Sequence, residues 1–222
     1  LPPPSVKETM TDEEMCRLQP SDPEPGGLRA GCRHDLSAAG HPDCSGADPD
    51  PVFTYMGQHC EAFIFARADW ESVLNTFVFP CRIGYRFIRS QIPGLQGQDS
   101  TNGSFLGIGA DLAQVAVQVE RIQFNGIAIT NGEFAAFLGE HPTGVLIGPE
   151  CVGTVRLENC SFWGDFAQIL ISHNQHATSI QNCTLQTWGE RYLRFPQIES
   201  DAGKLQVRGN TFTLSGLPKG ET

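Results

Sequence analysis

The chain has 222 residues, a formal net charge of −10 and 18% charged residues. This charge argues against a nucleic-acid-binding protein, because such proteins normally carry a basic stripe that faces the phosphates. No run of 18 apolar residues occurs, so the sequence does not predict a membrane span. The 24 glycines and the short apolar runs favour one β-rich domain.

The first 51 residues differ in composition from the rest of the chain. They hold nine of the fifteen prolines and ten acidic residues against four basic ones, which is typical of loops and linkers. A short helix is predicted only from Thr9 to Leu18, where Thr11 precedes carboxylates that a helix N-terminus favours. We therefore predict a loop-rich segment over 1–51 and a β domain over 52–222.

The eight cysteines divide evenly at about residue 70. The spacing of the first four fits no paired zinc-binding motif, so we expect disulfide bonds to tie the N-terminal segment, with the connectivity open. We expect Cys160 and Cys183 to be small buried residues rather than a bonded pair. The first four are Cys16, Cys32, Cys44 and Cys60, and the second four are Cys81, Cys151, Cys160 and Cys183.

From Val52 onward, short runs of apolar and aromatic residues have the length of β-strands. Turn residues such as Gly and Asn separate them. The predicted strands are Ala62 to Ala66, Val73 to Phe79, Gly84 to Ile88, Val115 to Val119, Ile122 to Ile129 and Gly144 to Ile147, followed by the three repeats described next.

One pattern occurs three times near the C-terminus: Val155 to Phe162, Thr178 to Leu185 and Leu205 to Phe212. The cysteines of the first two repeats are 23 residues apart, so each repeat fits one coil of a solenoid that stacks its apolar side on the next coil. Gln118 to Phe124 and Leu74 to Phe79 extend the pattern upstream.

Asparagines stand at the turn of these repeats. We predict that Asn159, Asn182 and Asn210 form a buried ladder, in which each amide bonds to the backbone of its own and the next coil. The alternative is N-glycosylation, because Asn159-Cys-Ser and Asn182-Cys-Thr match the acceptor pattern. The ladder is favoured, since the same position recurs in consecutive coils.

A β-sandwich is the alternative fold. Asn125-Gly126, between two apolar runs, is typical of a two-residue hairpin turn, and Asn131-Gly132 could form a second. The solenoid is favoured because a sandwich does not explain the matching phase of the Asn-Cys pairs.

Four segments resemble the coils of right-handed parallel β-helix proteins of the pectate-lyase-like superfamily: Glu61 to Glu71, Phe105 to Asp111, Thr130 to Phe134 and Asn159 to Gly164. The resemblance covers roughly residues 60 to 216. It implies three short parallel sheets per turn and binding or cleavage of polysaccharide in a lateral groove. The acidic clusters of the polygalacturonase branch are absent, and the N-terminal fifty residues match nothing in the family.

Glycoside hydrolysis needs two carboxylates about 5 to 9.5 Å apart, and four acids lie at predicted strand ends where a groove could expose them. A lyase would instead use a basic residue, with calcium or Arg neutralising a substrate carboxylate. Exposed tryptophans could stack on sugar rings. The predicted catalytic residues are Asp69, Asp111, Glu133 and Asp165, and the predicted substrate-binding residues are Trp163, Trp188, Arg67 and Arg86.

His173 and His176 lack a third metal ligand at a matching position of the repeat, so we predict no metal site. We also predict no cofactor, apart from calcium if the protein is a lyase.

The leading hypothesis is a secreted enzyme that degrades polysaccharide. The chain begins at Leu1 without Met, which suggests that a targeting signal has been removed. The alternatives are a polysaccharide-binding module without catalysis and a structural, spike or adhesin solenoid that could form oligomers.

Overall fold

The structure is a computed structural model that describes residues 51–187, 196–201 and 203–214. Several predicted features lie outside the described residues: the helix from Thr9 to Leu18, the cysteines at 16, 32 and 44, and Trp188.

The described chain forms one helix and seventeen strands. They are helix α1 (Pro51–His59) and strands β1 (Glu61–Phe65), β2 (Glu71–Leu74), β3 (Phe77–Val78), β4 (Cys81–Phe87), β5 (Gly103–Leu106), β6 (Gly109–Val119), β7 (Ile127–Thr130), β8 (Glu133–Ala136), β9 (Thr143–Ile147), β10 (Thr154–Glu158), β11 (Ser161–Gly164), β12 (Gln168–Ser172), β13 (Ala177–Gln181), β14 (Thr184–Thr187), β15 (Ile198–Ser200), β16 (Lys204–Arg208) and β17 (Thr211–Leu214).

The strands coil into a parallel β-solenoid with three faces. Face one is the six-stranded sheet β2-β5-β7-β10-β13-β16. Face two stacks β3, the start of β6, β8, β11, β14 and β17, and face three stacks β1, β4, the rest of β6, β9, β12 and β15. Strand β6 runs through the corner between faces two and three. The described strand pairs are parallel, which confirms the solenoid and excludes the antiparallel β-sandwich alternative.

The three predicted repeats lie in register in adjacent coils. Val155 pairs with Thr178, which pairs with Leu205, and Phe162, Leu185 and Phe212 form a second column. A parallel neighbour in register shares its partner's face, so the phase predicted from sequence is confirmed.

The upstream extension of the repeat is wrong. The Phe162 column continues through Phe134, Ala110 and Val78, so the expected partner Phe79 is one residue out of phase. Phe124 lies in the turn before β7 and is 66% exposed. The alignment failed because Ala110 and Gly132 stand where the coil of β10 and β11 has Phe162 and Cys160.

The corner between faces one and two is built from residues with positive φ, which we call the corner ladder. The backbone N–H of each ladder residue from Asn75 to Asn182 donates to a carbonyl of the next coil, at 2.9 to 3.1 Å. That carbonyl belongs to the residue just before the ladder residue of the next coil. The left-handed conformation favours Asn and Gly over other residues. The ladder comprises Asn75 (φ 50°), Gly107 (63°), Asn131 (55°), Asn159 (54°), Asn182 (54°) and Gly209 (66°).

Two details of the predicted Asn ladder are corrected. Gly209 occupies the turn position, while Asn210 falls one residue later and bonds to the Cys183 N–H at 2.8 Å and the Ile180 carbonyl at 2.9 Å. Asn159 and Asn182 are exposed rather than interior. The amides still bond between coils, because Asn159 Nδ2 donates to Asn131 Oδ1 at 2.7 Å.

The cysteines next to these asparagines point into the core, as predicted. Cys160 and Cys183 are buried and carry free thiols. A hydrogen bond with the Cys183 sulfur and burial raise the pKa of the Cys160 thiol. Cys60 is also a free thiol, which contradicts its inclusion in the predicted N-terminal disulfide set.

Helix α1 was not predicted by the sequence analysis, which placed the first strand directly after a loop. Pro51 suits a first helical position because its missing N–H is not needed there. Gly57 is buried against Leu138, and Gln114 Nε2 donates to the Gly57 carbonyl at 2.8 Å. The helix therefore packs closely on the first coils, where a side chain at position 57 would collide with Leu138.

Candidate functional site

The outward side of face two brings predicted site residues together. Ala110, Phe134 and Phe162 point into the core, so the residues beside them in each strand point outward. One outward column contains Phe77, Gly109, Glu133, Ser161, Thr184 and Thr211. A second contains Trp163, Gln186 and Thr213.

A groove of about 320 Å³ lies where this face meets the corner ladder. Gly107 and Gly109 have no side chains to fill it. Phe77 borders it and is 64% exposed, and Glu133 contributes an exposed carboxylate. The residues that line the groove are Asn75, Thr76, Phe77, Gly107, Ile108, Gly109, Asn131 and Glu133.

The backbone holds these groups in place. Glu133 N donates to the Ile108 carbonyl at 3.0 Å, and Gly109 N donates to the Thr76 carbonyl at 2.8 Å. A Cβ at position 107 would lie 2.6 Å from Asn75 Oδ1. The Asn75 amide thus lies directly over Gly107, and the groove keeps an amide, an aromatic ring and a carboxylate at its edges.

Asp111 lies near Glu133 on the same side of the solenoid. It follows Ala110, the partner of Phe134, while Glu133 immediately precedes Phe134. Asp111 Oδ1 accepts a hydrogen bond from Leu112 N at 2.7 Å, at a register shift where Leu112 has a φ of 48°. Desolvation by burial raises the pKa of Asp111. The structure thus brings two of the four predicted catalytic acids into neighbouring coils.

Asp69 and Arg67 bond to each other and not to this groove. Arg67 donates to both carboxylate oxygens of Asp69 at 3.0 Å, and Gln123 Nε2 donates to Asp69 Oδ1 at 2.6 Å. The pair is part of the turn before β2, where Asn102 Oδ1 accepts from Trp70 N at 2.8 Å. These contacts indicate that Arg67 and Asp69 stabilise the turn.

Arg86, a predicted substrate-binding residue, lies on face three in an ion-pair network. Its guanidinium contacts Glu61 Oε2 at 2.7 Å and Glu120 Oε1 at 2.7 Å. Arg82 also pairs with Glu61. These contacts tie β1, β4 and the end of β6 together and account for the charge of Arg86.

Trp163 lies on face two, but it is half-buried. Its ring packs edge-on against Phe137 with centroids 6.2 Å apart. Asp165 is partly buried in the turn between β11 and β12. The prediction that Trp163 and Trp188 form one stacking platform stays untested, because Trp188 lies outside the described residues.

The two histidines make other contacts. His173 Nδ1 lies 2.7 Å from Asp201 Oδ1, and the His176 ring packs on Phe124 with centroids 4.6 Å apart. Over the described residues, no three His, Cys, Asp or Glu side chains cluster in a way that could hold a metal ion.

Three residues that line the groove were not predicted from the sequence: Asn75, Phe77 and Asn131. Phe77 was assigned to one continuous strand from Val73 to Phe79, whereas the chain turns at Asn75 with a φ of 50°. The available signal was the recurrence of Asn or Gly at this corner, which the slipped upstream alignment concealed.

Fold and site together define a parallel β-solenoid protein with a polar groove on one corner. No family model, no curated protein and no solved structure matched the chain. None of the helices in the described part of the chain is long and apolar enough to span a membrane.

Proposed function

We propose that this protein binds a polysaccharide along face two, with the corner groove as the principal contact. The observation that carries the proposal is the exposed Phe77 ring beside the Glu133 carboxylate and the Asn131 amide, over a floor of Gly107 and Gly109. A binding protein of this kind would act outside the cell, in line with the prediction of secretion.

The chemistry of these groups suits a sugar. An aromatic face packs on the C–H surface of a pyranose ring, while amides and carboxylates bond its hydroxyl groups. The outward column continues from Glu133 into Ser161, Thr184 and Thr211. Strands about 4.8 Å apart place these groups along the solenoid axis, where successive sugars of a chain could meet them.

Phe77→Ala tests this proposal. We expect it to weaken retention on a polysaccharide in affinity electrophoresis at least tenfold, because the stacking surface is lost. Phe124→Ala is the matched control, since Phe124 is 66% exposed against 64% for Phe77 but lies at another corner. Equal retention of both variants and wild type would contradict the proposed site.

Glycoside hydrolysis is a second candidate function, supported by the placement of Asp111 and Glu133 in neighbouring coils. Inverting glycosidases need their two carboxyl groups about 6.5 to 9.5 Å apart, a separation that side chains on adjacent strands can reach. Asp111, with its raised pKa, would protonate the leaving oxygen, and Glu133 would activate water. The ion pairs of Arg67 and Arg86 make the lyase alternative less attractive.

A reducing-end assay over a polysaccharide panel tests hydrolysis. We expect Asp111→Asn and Glu133→Gln each to reduce cleavage at least a hundredfold without abolishing retention on the polysaccharide. If wild-type protein binds but releases no reducing ends from any of them, the binding proposal stands and the hydrolytic one fails.

A further inference from the structure

Face two carries no basic side chain in the part of the chain that the structure describes. Its strands β3, β8, β11, β14 and β17, and the segment from Gly109 to Ala113 in β6, contain no Lys, Arg or His. Its titratable outward residues are Asp111 and Glu133. This composition differs from that of face one, which displays Arg156 and Arg208.

Arginines close in sequence to β3 and β6 are paired with acids away from face two. Arg82 and Arg86 pair with Glu61, and Arg86 also pairs with Glu120, on face three. Arg121 pairs with Asp99 at 2.5 Å and donates to the Glu150 carbonyl at 2.9 Å. A carboxylate or sulfate group on a ligand in the groove would therefore find no cation to pair with among the described residues of face two.

Glu133 adds repulsion to this lack of cations. Its carboxylate is exposed at the edge of the groove and forms no ion pair with any described residue. Like charges repel, and they do so more strongly near a protein surface than in bulk water. A uronate ring seated on Phe77 would thus meet an unfavourable field.

The rest of face two presents uncharged polar groups to solvent. Ser161, Thr184 and Thr211 follow Glu133 in one column, and Gln186 and Thr213 follow Trp163 in the other. Hydroxyl and amide groups can both donate and accept hydrogen bonds, so they match sugar hydroxyls without requiring a charge on the ligand.

We infer that the ligand of face two is an uncharged polysaccharide, with no uronate or sulfate groups. This inference rests on the proposed function. Charge complementarity excludes wrong partners more effectively than it adds affinity, so the acidic face acts mainly as a filter against polyanions.

The test compares binding of wild-type protein to a soluble neutral β-glucan, a galactomannan, polygalacturonate and a sulfated glycan at low ionic strength. We expect binding to at least one neutral chain and at least tenfold weaker binding to both anionic ones. Binding to polygalacturonate as tight as to any neutral chain would overturn the inference and leave the proposed function standing. If none of the four binds, both are overturned.

Charge reversal on face two sharpens the test. Glu133→Lys should raise affinity for polygalacturonate at least fivefold relative to the neutral chain, and 0.5 M NaCl should remove most of that gain by screening. Glu158→Lys is the matched control, because Glu158 is also exposed but points outward from face one. Equal effects of the two variants would show that net charge, and not face two, decides the preference.

Discussion

The inner coils and the last described coil of the solenoid carry the same inward pattern but differ in burial. Val155 and Leu157 are 0% exposed in β10, whereas Leu205 and Val207, in the same columns of β16, are 38% and 44% exposed. On face two, Phe162 is 0% and Phe212 is 55% exposed.

This difference teaches that one coil cannot bury its own apolar side. The strand decides which residues point inward, but a neighbour on both sides is needed to remove them from water. A structural, spike or adhesin solenoid that forms oligomers would cover this exposed coil, and that hypothesis from the sequence stays a prediction. Mass measurement in solution would test it.

The largest expected effect separates the two regions directly. Phe162→Ala should lower the free energy of unfolding by about 3 to 5 kcal/mol, because a fully buried ring leaves a cavity. Phe212→Ala should cost about 1 kcal/mol or less, since its ring is 55% exposed. Urea unfolding followed by circular dichroism measures both, and equal losses would mean that Phe212 is covered in solution.

A smaller effect tests how tightly coils approach each other. A Cβ at Gly126 would lie 1.8 Å from the Thr154 carbonyl oxygen of the next coil, whereas one at Gly94 meets nothing within 4 Å. Both glycines have similar positive φ values, 81° and 85°. We therefore expect Gly126→Ala to lower the free energy of unfolding by at least about 2 kcal/mol more than Gly94→Ala does. The thermal midpoints of the two variants show the difference. Matching losses would contradict close stacking at this corner.

The corner ladder should respond more mildly. Asn159→Ala should cost about 1 to 2 kcal/mol, because Ala is disfavoured in the left-handed conformation and the bond to Asn131 is lost. Asn159→Gly should cost less, since Gly209 occupies the equivalent turn of the last coil. Chemical unfolding measures the loss of stability in each variant. A larger loss for Asn159→Gly than for Asn159→Ala would disprove the conformational explanation.

The smallest effect concerns Asp111. Burial raises its pKa in the folded state, so the folded protein binds this proton more tightly than the unfolded chain. The contribution of Asp111 to stability is therefore lost as pH rises through the raised pKa. Asp111→Asn keeps the oxygen that accepts from Leu112 N and should raise the thermal midpoint slightly at pH 7, with a smaller gain at pH 4. A larger gain in thermal midpoint at pH 4 than at pH 7 would show that folding lowers the pKa of Asp111 instead of raising it.

Much of the fold could be predicted from residues 155 to 212, where Asn, Cys and apolar positions recur at short spacing. The earlier coils could not, because the turns after β5 and β7 replace the recurring Asn-Cys pair with Gly107-Ile108 and Asn131-Gly132. These residues satisfy the same turn and the same inward space without resembling their counterparts. Periodicity in residue type therefore disappears where periodicity in backbone conformation persists.

The candidate site was only partly predictable, for a related reason. Glu133, Asp111 and Trp163 were found from their positions beside strand ends. Asp69 and Arg67 were also at a strand end, yet their bonds to each other and to Gln123 became visible only in three dimensions. A strand-end position identifies an exposed residue but not its partner.

By itself, the sequence determined the solenoid class, the inward positions of the last coils and the absence of basic residues from the strands of what proved to be face two. Local turn preferences and alternation along each strand are sufficient for these features. The tertiary structure alone decided which acids share a face, that Phe77 borders a groove and that Arg86 is paired. These contacts join residues more than 20 positions apart, and the register between coils, set by backbone hydrogen bonds, determines which of them meet.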